Sequence, residues 1–247
     1  MKQISGLFRY PLKSHGRETL SSMLLRAGMT LPWDRVWAVA HDASTADGSE
    51  WAACRNFSIG SKAPSLMAIE ASLDEETETL TLTHPDRPDL TFNPNNETAK
   101  LIDWVLPLVP TNRALPNRIL RLPNDRGFTD SDFPSVTLCN LASHRAVEEQ
   151  LGTQISPKRW RGNIWFDGDQ AWEEWDWVGK ELRIGNAVLR VRERTERCMA
   201  TTANPDTGLR DADTLGALMH WGHRDFSVRA EVITSGQVAI GDALEII

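Results

Sequence analysis

Short runs of alternating or continuous apolar residues, separated by Gly, Pro, Asp and Asn, predict a mainly β protein with a few helices. Helical periodicity is confined to three stretches, and no internal repeat or low-complexity tract interrupts the pattern. At 247 residues the chain is long enough for one large domain or two small ones, each with a core.

From the start, Lys2 to Tyr10 alternates loosely and Val36 to Ala40 is a compact apolar run. Leu66 to Leu73, Thr79 to Thr83 and Leu90 to Phe92 follow as strands, with Asp86-Arg87-Pro88 as punctuation between the last two. Such spacing points to an antiparallel sheet or barrel. Asn95 to Leu108 sets Ala99, Ile102 and Val105 at three-residue spacing, which is a helical face, and ends before Pro110. Pro107, Pro110 and Pro116 mark the expected boundary between two halves, residues 1–112 and 113–247. The second half opens on a polar loop, Gly127 to Asp132, followed by a strand at Ser135 to Leu138. A helix from Ser143 to Leu151 is closed by Gly152, the residue that best tolerates a left-handed helix end. Strands are expected at Gly162 to Phe166, Glu181 to Ile184 and Ala187 to Arg194. A helix over Thr214 to Trp221 carries Leu215, Leu218 and Met219 on one side, and strands at Phe226 to Ile233 and Ala243 to Ile246 finish the chain.

The net charge of −7 argues against a general nucleic-acid binder, because no basic excess exists to neutralise phosphates. Cys54, Cys139 and Cys198 form no paired framework and no C-x-x-C, so a reducing cytoplasm is the expected setting. The first residues lack the apolar core of a signal peptide, and no apolar run reaches the ~18 residues of a membrane span. Ten tryptophans stand against one tyrosine. Several crowd residues 160–177, where they read as core and rim packing.

The chemistry concentrates in Arg197-Cys198-Met199-Ala200-Thr201-Thr202-Ala203-Asn204-Pro205-Asp206-Thr207-Gly208. Asn-Pro-Asp-Thr-Gly suits a type I turn, which would leave the cysteine at a strand end facing a cleft. A thiolate there is a candidate soft-metal ligand and a candidate nucleophile; a buried, inert cysteine is the alternative. Four other segments carry groups suited to an anion: Tyr10-Pro11-Leu12-Lys13-Ser14, Trp33-Asp34-Arg35-Val36-Trp37, Thr129-Asp130-Ser131-Asp132 and Lys158-Arg159-Trp160-Arg161-Gly162-Asn163. Arginine's fork matches phosphate geometry and lysine adds a point charge, although each segment alone also reads as a surface ion pair or solvated rim. Arg190, Arg192 and Arg194 alternate along one strand face. His220 and His223 have metal-ligand spacing but no third ligand nearby. No P-loop, G-x-S-x-G elbow or G-x-G-x-x-G is present.

In order, these segments resemble the MOSC family, the molybdenum cofactor sulfurase C-terminal domain, preceded by its companion MOSC N-terminal β-barrel domain. The likeness is carried by Tyr10 to Ser14, Asp34-Arg35-Val36-Trp37, Arg161-Gly162-Asn163, Trp177-Val178-Gly179, the Cys198 segment and Gly236 to Asp242. It implies two β-barrel-type domains, and the two-domain form is similar to the mitochondrial amidoxime-reducing component and its bacterial relatives. That resemblance implies a molybdenum-cofactor oxidoreductase acting on small N-hydroxylated (N–O) substrates, with Cys198 as the thiolate ligand to molybdenum. It places Lys13, Ser14, Arg35, Arg161, Asn163, Arg197 and Thr201 against the cofactor. Asp130 or Asp132 falls near the acid beside the metal, where it would supply a proton to the leaving water. Arg55 and Arg192 are further candidates for the cationic cradle. With no fused ferredoxin domain, electrons are expected from a separate protein. The alternative is a sulfur-carrier or cofactor-handling protein using a Cys198 persulfide. The family's association with pyridoxal phosphate belongs to a desulfurase domain that this sequence lacks.

Overall fold

The computed structural model describes residues 2–124 and 126–247. The first half contributes strands β1 (Lys2–Arg9), β2 (Leu12–Lys13), β3 (Glu18–Leu20), β4 (Ser22–Leu25), β5 (Trp37–His41), β6 (Glu70–Asp74), β7 (Thr79–His84) and β8 (Arg87–Phe92), then helix α1 (Thr98–Val105). Strand β9 (Pro116–Arg121) leads to β10 (Val136–Asn140), helix α2 (Leu141–Leu151) and β11 (Ile164–Phe166). Then come β12 (Glu181–Ile184), β13 (Ala187–Glu196), helix α3 (Thr214–Met219), β14 (Asp225–Thr234), β15 (Gly236–Ala239) and β16 (Ala243–Ile246). The mainly β reading holds.

A closed seven-stranded barrel runs in the order β11-β10-β14-β13-β12-β16-β1, shut by pairing of β1 with β11 at Ile4↔Phe166 and Leu7↔Ile164. Closure removes the free edges that an open sheet would expose. Alternate residues point inward, so Leu189 and Val191 of β13, Val228, Ala230 and Val232 of β14 and Leu138 of β10 fill the interior. β10 and β11 are parallel, and α2 makes the crossover between them. Asn140 caps α2 by accepting from the Ala142 amide, and Gly152 ends it at φ 68°.

A second core lies under the antiparallel meander β6-β7-β8 and the small sheet β2-β5-β9, with α1 packed between them through Leu101, Trp104 and Val105. Strand pairing crosses the 112/113 boundary in both directions. β1 and β3 belong to the barrel sheet, β9 returns to pair with β5, and β15 pairs with β4.

Leu66 to Leu73, expected as one strand, is split: Pro64–Ala68 is a 3-10 turn and only Glu70–Asp74 is strand. Pro64 at its start, with φ fixed and no amide to donate, favours the turn. The Asn204–Gly208 turn closes from the Gly208 amide to the Asn204 carbonyl, a wider i→i+4 turn than the type I expected. Its Gly208, at φ 71°, abuts Ser65, where an added Cβ would come within 2.6 Å of the Ser65 Cα.

Trp160, Trp165 and Trp177 are buried, and Trp160 stacks on Phe226 at 3.8 Å. Trp172 and Trp175 form a rim with Trp221 and His223. The His223 Nδ1 accepts from the Asp225 amide, and among the described residues no cluster of three metal-ligating side chains exists.

Candidate functional site

A cleft of about 940 Å³, including its open mouth, lies where the barrel meets the first half. Cys198 stands in it, exposed, two residues beyond the end of β13. Its backbone is extended (φ −115°, ψ 178°) and caps the 3-10 turn Met199–Thr202. The Thr201 amide and hydroxyl both donate to the Cys198 carbonyl, at 3.2 and 3.1 Å. Thr201 thus shapes the cysteine's turn, and its hydroxyl also pairs with Thr214.

Cations face the thiol from both halves: Lys13, Arg35, Arg159, Arg161, Arg197 and Arg229, against the carboxylates of Asp130 and Glu196. Ser14, Arg35 and Arg161 hold left-handed backbone at φ 62°, 56° and 49°. Each costs roughly 1–3 kcal/mol for a non-glycine residue, and such strain collects where a ligand must be met. Arg161 is held there because it ends the 3-10 turn Pro157–Trp160 and precedes Gly162, where a Cβ would come within 2.2 Å of the Cys139 Sγ.

The ring of Tyr10 lies under two guanidinium groups, Arg161 at 4.3 Å and Arg35 at 4.9 Å, while its hydroxyl donates to the Gly162 carbonyl. Burial lowers the Arg161 pKa to about 10, and its Nη1 is buried with no hydrogen-bond partner. Such an orphaned charged donor is costly unless a ligand completes it. The Thr195 hydroxyl, also lining the cleft, is likewise buried and unpartnered. Arg35 pairs with the buried Asp34 carboxylate and donates to the Arg161 carbonyl at 3.1 Å.

Lys13 is buried, donates to the Phe128 carbonyl at 2.7 Å and pairs with Asp130. Partial desolvation in the cleft mouth pushes the Asp130 carboxyl up, but Lys13 and Arg35 outweigh it and hold that carboxyl, itself still open to solvent, well below the usual carboxylate range. An acid held ionised is a poor proton donor at neutral pH, which weighs against Asp130 as the donor to the leaving water. Asp132 is exposed and does not line the cleft, so it does not take over that role.

The geometry agrees with the family models: the MOSC N-terminal beta barrel domain matches residues 1–106 and the MOSC domain matches residues 125–245. The chain belongs to the MOSC family. MOSC domains are linked to molybdenum-cofactor binding. Two solved structures are similar to this chain at low identity. One is the YuaD protein from Bacillus subtilis, at 12% identity and TM-score 0.49, covering 100% of this chain and 96% of that one. The other is YiiM from Geobacillus stearothermophilus, at 17% identity and TM-score 0.35, covering 45% of this chain and 53% of that one. No curated protein matches the chain.

The donor set fits the molybdenum cofactor. The exposed Cys198 sulfur offers one soft ligand of the kind a metal that carries its other ligands would take. The excess of cations and the orphaned Arg161 Nη1 suit the anionic pterin phosphate.

Of the MOSC motif residues, Lys13, Ser14, Arg35, Arg161, Arg197, Thr201 and Cys198 are brought to one cleft, with Asp130. Asn163 is not. It is fully buried behind the wall, where its Oδ1 accepts from the Thr137 amide and its Nδ2 donates to Asp34, the partner of Arg35. It positions the cradle and does not contact the cleft. Each guanidinium nitrogen of Arg197 makes a hydrogen bond, to the Phe226 carbonyl, the Trp160 carbonyl and the Ser227 hydroxyl, so the side chain is held as part of the wall. Arg192 lies outside on the barrel surface paired with Glu231, because Arg190 and Arg192 face solvent where β13 alternates. Arg55 turns to a neighbouring cavity. Sequence reading missed Cys54, Arg159, Thr195 and Arg229 as cleft residues. Only Arg159 had a signal, in the Lys-Arg-Trp-Arg cluster.

Proposed function

We propose that this protein holds the molybdenum cofactor in the cleft and reduces small N-hydroxylated compounds there. The observation that carries the reading is the exposed Cys198 thiol inside a cation-rich cleft whose Ser14, Arg35 and Arg161 sit on left-handed backbone. The likeness to the mitochondrial amidoxime-reducing component, in its two-domain form, supports the N–O substrate class. Cys198 would supply the thiolate ligand, with Lys13, Arg35 and Arg161 holding the phosphate and pterin. When bound, the cofactor supplies oxygen-atom abstraction coupled to a two-electron change at the metal. The protein's part is to hold the cofactor's anion and to present one sulfur. Asp130 keeps Lys13 in place as its ion-pair partner. The proton for the leaving water then comes from solvent at the open mouth, and electrons come from a separate donor protein. Among the described residues no helix is long and apolar enough to cross a membrane.

The test is the molybdenum content of wild type and Cys198→Ala, purified from a cofactor-competent host, followed by N-hydroxylated substrates with an artificial reductant. Near-stoichiometric metal in wild type, lost or spectroscopically altered in the variant, with turnover only in wild type, is the expected result. Metal-free wild type carrying a reducible mass gain of one sulfur on Cys198 would instead establish the sulfur carrier.

A further inference from the structure

Beside the cleft lies a second cavity, about 630 Å³ including its mouth, and the two meet at Cys54 and Ile59. Its floor is apolar, with Phe57, Ala63 and Val109 buried beneath it. Arg55, Lys62 and Arg113 line it, and among the described residues no carboxylate does. In a chain with 34 acidic against 27 basic residues, and with most cleft cations already paired, that imbalance is unexpected. Among the described residues none of the three stands in an ion pair, whereas Arg9, Arg17 and Arg121 each face a carboxylate within 4.0 Å.

The wall is rigid and offers one more polar group. Phe57 bridges to Ala40, the Ser58 amide donates to the Val39 carbonyl at 2.8 Å, and both contacts lock the segment onto β5. His41, the last residue of β5, donates from Nε2 to the Arg55 carbonyl at 2.8 Å. That bond fixes the tautomer and leaves Nδ1 as an acceptor, which is buried with no partner.

We infer that this cavity is a substrate subsite for an organic anion: an apolar body lies on Phe57 and Val109, and a carboxylate or phosphate meets Arg55, Lys62 and Arg113. A ligand seated across Cys54 and Ile59 would place its N–O end toward Cys198 and its acidic end in the second cavity. The subsite deepens the proposed reductase function and rests on it only for the word substrate, because an anion can bind whether or not it is reduced.

The experiment compares benzamide oxime with 4-carboxybenzamide oxime on the full chain, purified from a cofactor-competent host. Calorimetric binding and steady-state reduction are both measured, for wild type and for Arg55→Gln/Arg113→Gln. The carboxylate compound should bind about tenfold tighter than the neutral one in wild type, since a charge-assisted hydrogen bond contributes on that scale. The preference should vanish in the double variant and shrink as salt rises, with neutral-compound binding unchanged. Equal binding of the two compounds in wild type, or a preference that survives the double variant, overturns the subsite. Reduction of both compounds without preference overturns the subsite and leaves the reductase standing. Preferential binding with no reduction keeps the subsite and overturns the reductase. Both substituted residues are exposed, and equal melting temperatures verify that the variant is folded.

Discussion

At Arg161 and Asp130 the cleft shows charge placed for a ligand at the expense of the empty protein. Arg161 is half-buried, carries a buried and unpartnered Nη1 and sits at φ 49°, so the ligand-free protein is strained at this residue. Asn tolerates the left-handed region better and carries no charge. Arg161→Asn should therefore raise the melting temperature of the cofactor-free protein while lowering molybdenum occupancy severalfold; calorimetry and metal analysis check the two halves together. Asp130 makes the opposite case. Lys13 and Arg35 face it and hold its carboxyl well below the usual carboxylate range. Asp130→Asn should keep molybdenum bound and leave the pH–rate profile unchanged in shape between about pH 5 and 8. Loss of a limb of that profile in the variant would return the proton-donor role to Asp130. Lys13→Ala, by contrast, removes a buried cation from the cradle and should deplete the metal.

Among the elements, two short connections carry disproportionate weight. The turn before β11 brings Gly162 against Cys139 of β10, so closely that an added Cβ would lie 2.2 Å from the Sγ. Gly162→Ala should destabilise by about 1–3 kcal/mol from overpacking. Adding Cys139→Ala should restore part of that loss, a coupling that urea unfolding of the four-protein cycle measures. The loop between β2 and β3 buries His15 completely, with Nδ1 donating to the Lys13 carbonyl at 2.7 Å. Burial lowers its pKa to about 4. His15 is neutral in folded and unfolded chains at pH 7, but the unfolded chain takes up a proton near the ordinary value of about 6.5. Stability is therefore full above about pH 6.5, falls as pH drops towards 4, and levels off below it. The expected loss is on the order of 3 kcal/mol from this residue. His84, His144 and His223 are displaced in the same direction, so His15→Asn should flatten the decline in unfolding free energy between pH 7 and 4.5 without abolishing it.

For the whole molecule, the halves depend on each other. The barrel is shut by β1 from the first half, and the first half's sheet is completed by β9 from beyond the boundary. Residues 113–247 expressed alone would leave β11 and β16 without β1, an open barrel with exposed edges. Neither 1–112 nor 113–247 alone should give a cooperative unfolding transition, whereas co-expression should recover it; circular dichroism melts decide this. Local pattern was enough for the mainly β class, the elements with strong periodicity (β1, β5, β7, α2, β12, β13, β14 and β16) and the place of Cys198 just past a strand end facing a cleft, because these rest on residues close together in the chain. It left β2, β3, β4, β9 and β15 unread, since short strands with few apolar residues are made by their partners. It also ran Leu66 to Ile69 into one strand with β6. Which charges meet is settled by the packing of distant segments. Lys13, Arg35 and Arg161 reach Cys198 from more than a hundred residues apart or from different elements, whereas Asn163, beside Arg161 in the chain, turns inward to hold Asp34. Neighbours in sequence point to opposite sides of a strand or turn, so adjacency cannot say which one faces a ligand; burial on one side and an open cleft on the other can.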